Sequence, residues 1–225
     1  MAGRLRFPYN GSMIKAVLFD MDGTLSDSER YYTEGTNFYL QRLGYDLPME
    51  KIYPIVGKNE EDLCKYLSSL TGVSVEEAGK RNRDYFDQEA KIDYSVLLFP
   101  DVRETLKEVK DRGLKTALVS GSSEELVERF IRQCGLEGIF DVSVSTVGRF
   151  PDKPDPSVYL YAMKRLAIAP QECIIVEDSR TGIEAGKKAG ACVLARDASK
   201  YRIDQSGADR IIRDLREIME VIDER

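Results

Sequence analysis

Residues 15–19, Lys-Ala-Val-Leu-Phe, form a short apolar run that ends on Asp20, the pattern of a strand buried on both faces. Asp22-Gly23-Thr24 punctuates the chain there, and a helical pattern begins near residues 26–27 and continues to about Leu43, ahead of Gly44. Helical patterns then dominate to about residue 93, starting after Asn59 and after Ser74, where Ser74-Val75-Glu76-Glu77 has the spacing of a capping box. No strong strand pattern interrupts them, so the stretch reads as a helical insert, and Val96-Leu97-Leu98-Phe99-Pro100 brings the chain back to the main domain.

Past Pro100 the pattern alternates. A helix to Arg112 is stopped by Gly113, a strand covers 114–119, and a helix over 122–134 opens with a second capping-box spacing, Ser122 to Glu125, and closes at Gly135. A strand at 142–145 follows, then a helix from about Pro156 with proline in its first turn, and strands at 173–176 and 192–194. Strands alternating with helices of this length predict an α/β fold: a parallel-sheet, Rossmann-like core with helices on both faces and an inserted all-helical cap domain. The expected division is a core of 13–29 and 95–225, a cap of 30–94, and an N-terminal extension of 1–12 that fits no element and reads as a vector-derived or misassigned start before Met13. No internal repeat is evident, which favours an insert over an array.

Composition narrows the function mainly by what it removes. Among 225 residues, 39 acids outnumber 33 bases, and a net charge of -6 repels nucleic-acid backbones, although a bound metal or a local cation can reverse the field inside one cleft. The chain contains no histidine, which excludes Ser-His-Asp and Cys-His nucleophile pairs and every histidine-ligated metal, and leaves a carboxylic acid of raised pKa as the natural proton carrier. Cys64, Cys134, Cys173 and Cys192 form no C-x-x-C pair and read as reduced, the last two as strand packing. With no run of about 18 apolar residues and no leftover apolar stripe, the expectations are a cytoplasmic protein, no membrane contact and a monomer.

Ligands of parallel α/β sheets bind beyond the carboxyl ends of the strands, and four such ends carry candidate chemistry. Asp20 and Asp22 follow the first strand, with Gly23 allowing a turn that faces both carboxylates to one cavity; alone, such a pair is equally a solvated loop or a helix cap. Ser120-Gly121 offers a hydroxyl and backbone amides to a phosphate, or simply caps a helix, and Lys153 after the 142–145 strand is a phosphate partner or a surface lysine. Glu177-Asp178 makes a second acidic pair, and two acidic pairs in one cleft need protons or a divalent cation to coexist.

Together, Asp20-Met21-Asp22-Gly23-Thr24-Leu25, Val119-Ser120-Gly121, Lys153-Pro154 and Val176-Glu177-Asp178-Ser179 resemble the four motifs of the haloacid dehalogenase superfamily. Thr181-Gly182-Ile183-Glu184-Ala185-Gly186 and Ala189-Gly190 are similar to the branch that contains small sugar phosphatases and beta-phosphoglucomutase. The resemblance implies Asp20 as nucleophile, Asp22 as general acid then base, and Ser120, Gly121 and Lys153 as phosphate binders. It further implies Mg2+ held at Asp20, Asp22, Glu177 and Asp178, with Asp22 giving its backbone carbonyl, and a small phosphorylated metabolite as substrate. In that chemistry the cleft is expected to push the pKa values of Asp20 and Asp22 in opposite directions.

Asp22 argues against dehalogenation, because a departing halide needs no proton. A phosphosugar mutase is the nearer alternative, but beta-phosphoglucomutase carries a histidine where Tyr32 stands and Lys and Arg where Val56 and Glu60 stand. In the insert, Gly57 and Lys58 are candidates for touching substrate, with hinges expected near 28–31 and 94–97. Two readings from other classes stand beside these: a phosphoacceptor signalling domain, opposed by the chain's length and motif order, and a catalytically silent binding protein, opposed by the retention of both Asp20 and Asp22.

Overall fold

A computed structural model describes residues 13–58, 60–89 and 91–224; the expected extension 1–12 and Asn59 lie outside the described residues. Six strands, β1 (Ala16–Phe19), β2 (Lys115–Ser120), β3 (Val142–Ser145), β4 (Cys173–Glu177), β5 (Cys192–Arg196) and β6 (Arg210–Ile212), make one sheet in the order β3-β2-β1-β4-β5-β6. Every pairing is parallel. Side chains alternate between faces, so Val17 and Phe19 of β1 join one core while Ala16 and Leu18 join another.

The first of these cores packs against α4 (Val102–Asp111), α5 (Glu124–Gln133) and α8 (Glu217–Asp223) through Leu106, Phe130 and Ile218. The second packs against α6 (Ser157–Leu166) and α7 (Arg180–Lys188) through Tyr159, Met163 and Ile183. This is the two-faced Rossmann-like architecture that the alternating pattern predicts. Between β1 and β2 lie α1 (Ser28–Arg42), α2 (Glu60–Thr71) and α3 (Val75–Asp84), with a separate apolar cluster of Leu40, Ile52, Ile55, Leu67 and Ala78. The chain leaves the sheet and returns to it through one bridge: Asp27 N–H donates to the Leu97 carbonyl at 2.8 Å and Phe99 N–H to that of Leu25 at 3.1 Å.

Several boundaries differ from the sequence pattern for local reasons. Ser123, not Ser122, caps α5, accepting from Leu126 N–H at 3.4 Å, so the helix starts at Glu124 and the Ser122 hydroxyl is free for other use. Pro156 is the N-cap residue of α6 rather than part of its first turn. The Ser74 cap of α3 is present, accepting from Glu77 N–H, while Glu77 itself pairs with Arg81 instead of completing the box. Strand β6 and helix α8 have no counterpart in the sequence reading; β6 spans only three residues and begins with a charged one.

None of the four cysteines is in a disulfide, and three are buried. Burial raises the Cys173 thiol to about 12, so a thiol-reactive dye is expected to label Cys64 first, with Cys134, Cys173 and Cys192 reacting only after unfolding. Counting labelled sites by intact mass before and after denaturation checks this.

Candidate active site

Register brings the four sequence motifs together. Phe19 pairs with Leu118 on one side and Val176 on the other, so Asp20, Ser120 and Glu177 leave the sheet at nearly the same level. Asp20 N–H extends the ladder to the Val176 carbonyl at 2.9 Å. On the far side Ser145 pairs with Ser120, and the loop after β3 carries Lys153 back across the strand ends.

Lys153 is the hub. Its ammonium donates to Asp20 Oδ1, to Glu177 Oε1 at 2.7 Å and to the Val119 carbonyl at 3.4 Å, and lies 5.0 Å from the centre of the Tyr159 ring. Burial works against its charge, but the Asp20 and Glu177 carboxylates outweigh that and hold the ammonium well above its ordinary pKa. Glu177, completely buried, also accepts from the Tyr159 hydroxyl at 2.7 Å, from Ser179 Oγ at 3.0 Å and from the backbone N–H of Asp178 and Ser179 at 3.1 and 3.2 Å. Against burial, Lys153 and these donors pull its carboxyl below the usual range. Gly182 supplies the space: a Cβ there would lie 1.8 Å from Glu177 Oε1, which gives the Thr181-Gly182 motif a steric reason.

Carboxylate oxygens of Asp20, Glu177 and Asp178 lie within 4.8 Å of one another. Among the described residues the Asp178 carboxylate accepts only a long bond, 3.4 Å from Thr24 Oγ1, and it sits against Gly23, where a Cβ would be 2.2 Å from Oδ2. Burial, then the Glu177 and Asp20 charges, raise Asp178 well above the carboxylate range. Asp20 is raised too, by burial and by Glu177 and Asp22, with Lys153 pulling the other way. Three carboxylates therefore share one ammonium, and an all-oxygen donor set of this charge fits a hard divalent cation. Glu177 belongs to the group by distance, yet its oxygens are already engaged with five protein donors. Gly23 also needs a left-handed conformation, φ +74°, so Gly23→Ala is expected to lower the unfolding free energy by about 1–3 kcal/mol, measurable by urea titration.

Asp22 differs from its neighbour. Ser122 Oγ donates to its Oδ2 at 2.7 Å, while Oδ1 is buried with no partner among the described residues. Burial raises its pKa, and the nearby hydroxyls of Ser122 and Ser28 and the Lys153 charge only partly offset that. The expected divergence of the two aspartates is thus not met by protein groups alone: burial raises both, because one ammonium cannot balance three carboxylates. Ser120 is completely buried, its hydroxyl accepting from Ser122 N–H at 2.9 Å, and Gly121 is exposed with open space around it. Gly57 and Lys58 are exposed, and the Lys58 ammonium lies 5.4 Å from the Tyr66 ring of α2; no described contact joins either residue to the acidic cluster.

The family model described as haloacid dehalogenase-like hydrolase matches residues 17–196 of this chain. The chain belongs to the haloacid dehalogenase-like hydrolases. Among its relatives in this family is a phosphorylated carbohydrates phosphatase of Thermotoga maritima, 33% identical over 79% of this chain and 82% of that one. Another is a phosphoglycolate phosphatase of Nitrosospira multiformis, 31% identical over 80% and 82%. A solved structure from Thermotoga maritima, provisionally named a beta-phosphoglucomutase, superimposes with a TM-score of 0.72 at 30% identity, covering 94% of this chain and 99% of that one. The chain is accordingly an enzyme of the phosphatase type, and no helix among the described residues is long and apolar enough to cross a membrane.

Four haloacid dehalogenase-like motifs read from the sequence thus converge, and the residues that hold them in place are those the sequence reading missed. Ser122 was assigned to a helix cap, Thr24 and Ser179 stood in the quoted motifs without an assigned role, and Tyr159 carried no signal of its own. Only the offset of Ser122 by two from Ser120, at a strand end, could have marked it.

Proposed function

We propose that this chain is a magnesium-dependent phosphohydrolase that releases phosphate from a small phosphorylated metabolite, in the first instance a sugar phosphate. The reading rests on one observation above the others: two residues beyond Asp20, Asp22 is a half-buried acid with Oδ2 fixed by Ser122 and Oδ1 buried without a partner among the described residues. A carboxylic acid so placed can hold a proton at Oδ1 and deliver it to a departing oxygen.

Asp20 attacks phosphorus in line, the ester P–O bond breaks, and the Asp22 proton passes to the leaving oxygen. Asp22, now ionised, takes a proton from water, whose oxygen attacks the phosphoaspartate, restores Asp20 and leaves inorganic phosphate. Lys153, the Ser120 hydroxyl and the Gly121 N–H bind the phosphoryl oxygens. Asp20, Asp178 and the Asp22 backbone carbonyl would hold Mg2+, which supplies positive charge to those oxygens and keeps Asp20 ionised. Glu177 we place behind Lys153, orienting its ammonium, rather than on the metal, since its lone pairs are used.

Residues 30–94 we read as a cap over a core of 13–29 and 95–225, supported by the separate apolar cluster and the single bridge at Asp27 and Leu97. Gly57 and Lys58 would then reach substrate only on closure. Phosphate release from a panel of sugar and polyol monophosphates, with Mg2+ and with a chelator, tests the function: release that stops with the chelator and returns with Mg2+ is expected, and release indifferent to metal would refute it. The likeness to the Thermotoga structure keeps a mutase as a second reading, which glucose 1-phosphate with a bisphosphate activator separates by yielding glucose 6-phosphate without loss of phosphate.

A further inference from the structure

A closed ring of hydrogen bonds runs through Asp178 and has no part in the chemistry above. Glu177 pairs with Ala195, so Arg196, the last residue of β5, stands beside Asp178 where the two strands end. Gln205, from the segment between β5 and β6, donates through Nε2 to the Asp178 carbonyl at 2.7 Å and to the Arg196 carbonyl at 2.6 Å. Its Oε1 accepts from Ala198 N–H at 3.0 Å. Both amide protons are thus spent tying the end of β4 to the end of β5 beyond the ladder.

The Arg196 guanidinium carries the ring across to the loop after β1. Nη1 donates to the Thr24 carbonyl at 3.3 Å, Nη2 donates to the two carboxylate oxygens of Asp101 at 3.1 and 3.0 Å, and the group lies 3.8 Å from the centre of the Phe99 ring. Asp101 is itself anchored, accepting from Leu215 N–H at 2.7 Å. The Thr24 hydroxyl, 3.4 Å from Asp178 Oδ1, closes the circuit. Thr24, Asp178, Arg196 and Gln205 are all buried. A guanidinium suits this place because its fork serves Asp101 and Thr24 at once, where an ammonium offers a single point. Among the described residues, no hydrogen bond joins Thr24, Arg196 or Gln205 to Lys153, Ser120 or Gly121.

We propose that Gln205 and Arg196 are positioning residues for the divalent cation, holding the loop after β1 against Asp178 so that the Asp20 and Asp178 carboxylates stay within 4.8 Å of each other. The inference rests on the metal site of the phosphohydrolase reading. Asp20, Glu177 and Asp178 share one ammonium, and their mutual repulsion works to open the site. A ring that resists opening lowers the cost of gathering the ligands, and removing a group that orients a metal ligand typically weakens metal binding by about 10–100-fold.

The test titrates the full-length, metal-free protein with Mn2+ and measures the free ion by electron paramagnetic resonance, at a temperature where every variant is folded. Gln205→Leu and Arg196→Lys are expected to raise the Mn2+ dissociation constant by about tenfold. The Mg2+ concentration for half-maximal hydrolysis of p-nitrophenyl phosphate should rise by a similar factor. KM for that ester at saturating Mg2+ should stay within about twofold of wild type, because the phosphate-binding groups lie outside the ring. Asp209→Asn is the control: Asp209 accepts from Lys187 at 2.6 Å and from Val193 N–H at 2.8 Å, toward the other end of β5. Its loss is expected to lower the melting temperature and leave Mn2+ affinity unchanged. A folded Gln205→Leu with wild-type Mn2+ affinity overturns the inference, as does equal weakening in Asp209→Asn. If Gln205→Leu does not fold, Arg196→Lys decides by the same comparison. Wild type that binds Mn2+ but releases no phosphate refutes the phosphohydrolase reading and leaves the role of the ring to the Mn2+ comparison, so the two claims fail separately.

Discussion

Asp20→Asn is expected to reduce phosphate release by at least about a thousandfold with every substrate, because the amide cannot attack phosphorus. The fold should survive. Burial, together with the Glu177 and Asp22 charges beside it, holds the Asp20 pKa well above the carboxylate range despite Lys153. An acid whose pKa is raised on folding costs stability above its unfolded value and regains it as pH falls. Asn carries no such charge and leaves Lys153 and Glu177 matched one to one, so the metal-free variant should melt no lower than wild type at pH 7. Thermal melts beside a phosphate-release assay check both halves. A variant inactive because it is unfolded would not support the role given to Asp20.

Lys153→Met has the opposite balance. The side chain is 9% exposed, and removing its ammonium strands the Asp20 and Glu177 carboxylates in the interior. Breaking a buried pair from one side typically costs about 3–5 kcal/mol, and that loss is expected in urea unfolding at pH 7. The sign of the pH dependence follows. In wild type, Lys153 pulls Glu177 below the usual range, so that contribution is present at neutral pH and is lost as pH falls through the depressed value. In the Met variant both carboxylates would be raised by burial, and protonation would restore stability as pH falls. The gap between the two proteins should therefore narrow from pH 7 to pH 5, and a gap that widened would contradict the account. Activity should fall with the metal present, since the variant lacks the ammonium that would bind a phosphoryl oxygen.

How far the sequence carried the reading depends on what each residue's role requires. Asp20, Ser120, Lys153 and Glu177-Asp178 were legible because parallel strands must end at one edge, and apolar runs followed by polar residues mark those ends. Ser122 was not, because a serine before a helix has two competing uses, and only the structure places Ser123 at the cap and turns Ser122 to Asp22. Glu177 shows the reverse limit: the motif marks it as acidic, but nothing in the chain tells that Tyr159, eighteen residues earlier, consumes one of its lone pairs. The short strand β6 fell below the length at which alternation can be read.

The central claim is that Asp20 carries the phosphoryl group between two half-reactions. The most direct measurement mixes the protein and Mg2+ with a 32P-labelled phosphomonoester, quenches in acid within milliseconds, reduces the acyl phosphate with borohydride and maps the modified peptide. The expected result is a transient label, stable in acid and released by hydroxylamine, with Asp20 converted to homoserine. Label on Ser120, or rapid hydrolysis with no labelled protein at any time, would contradict the account.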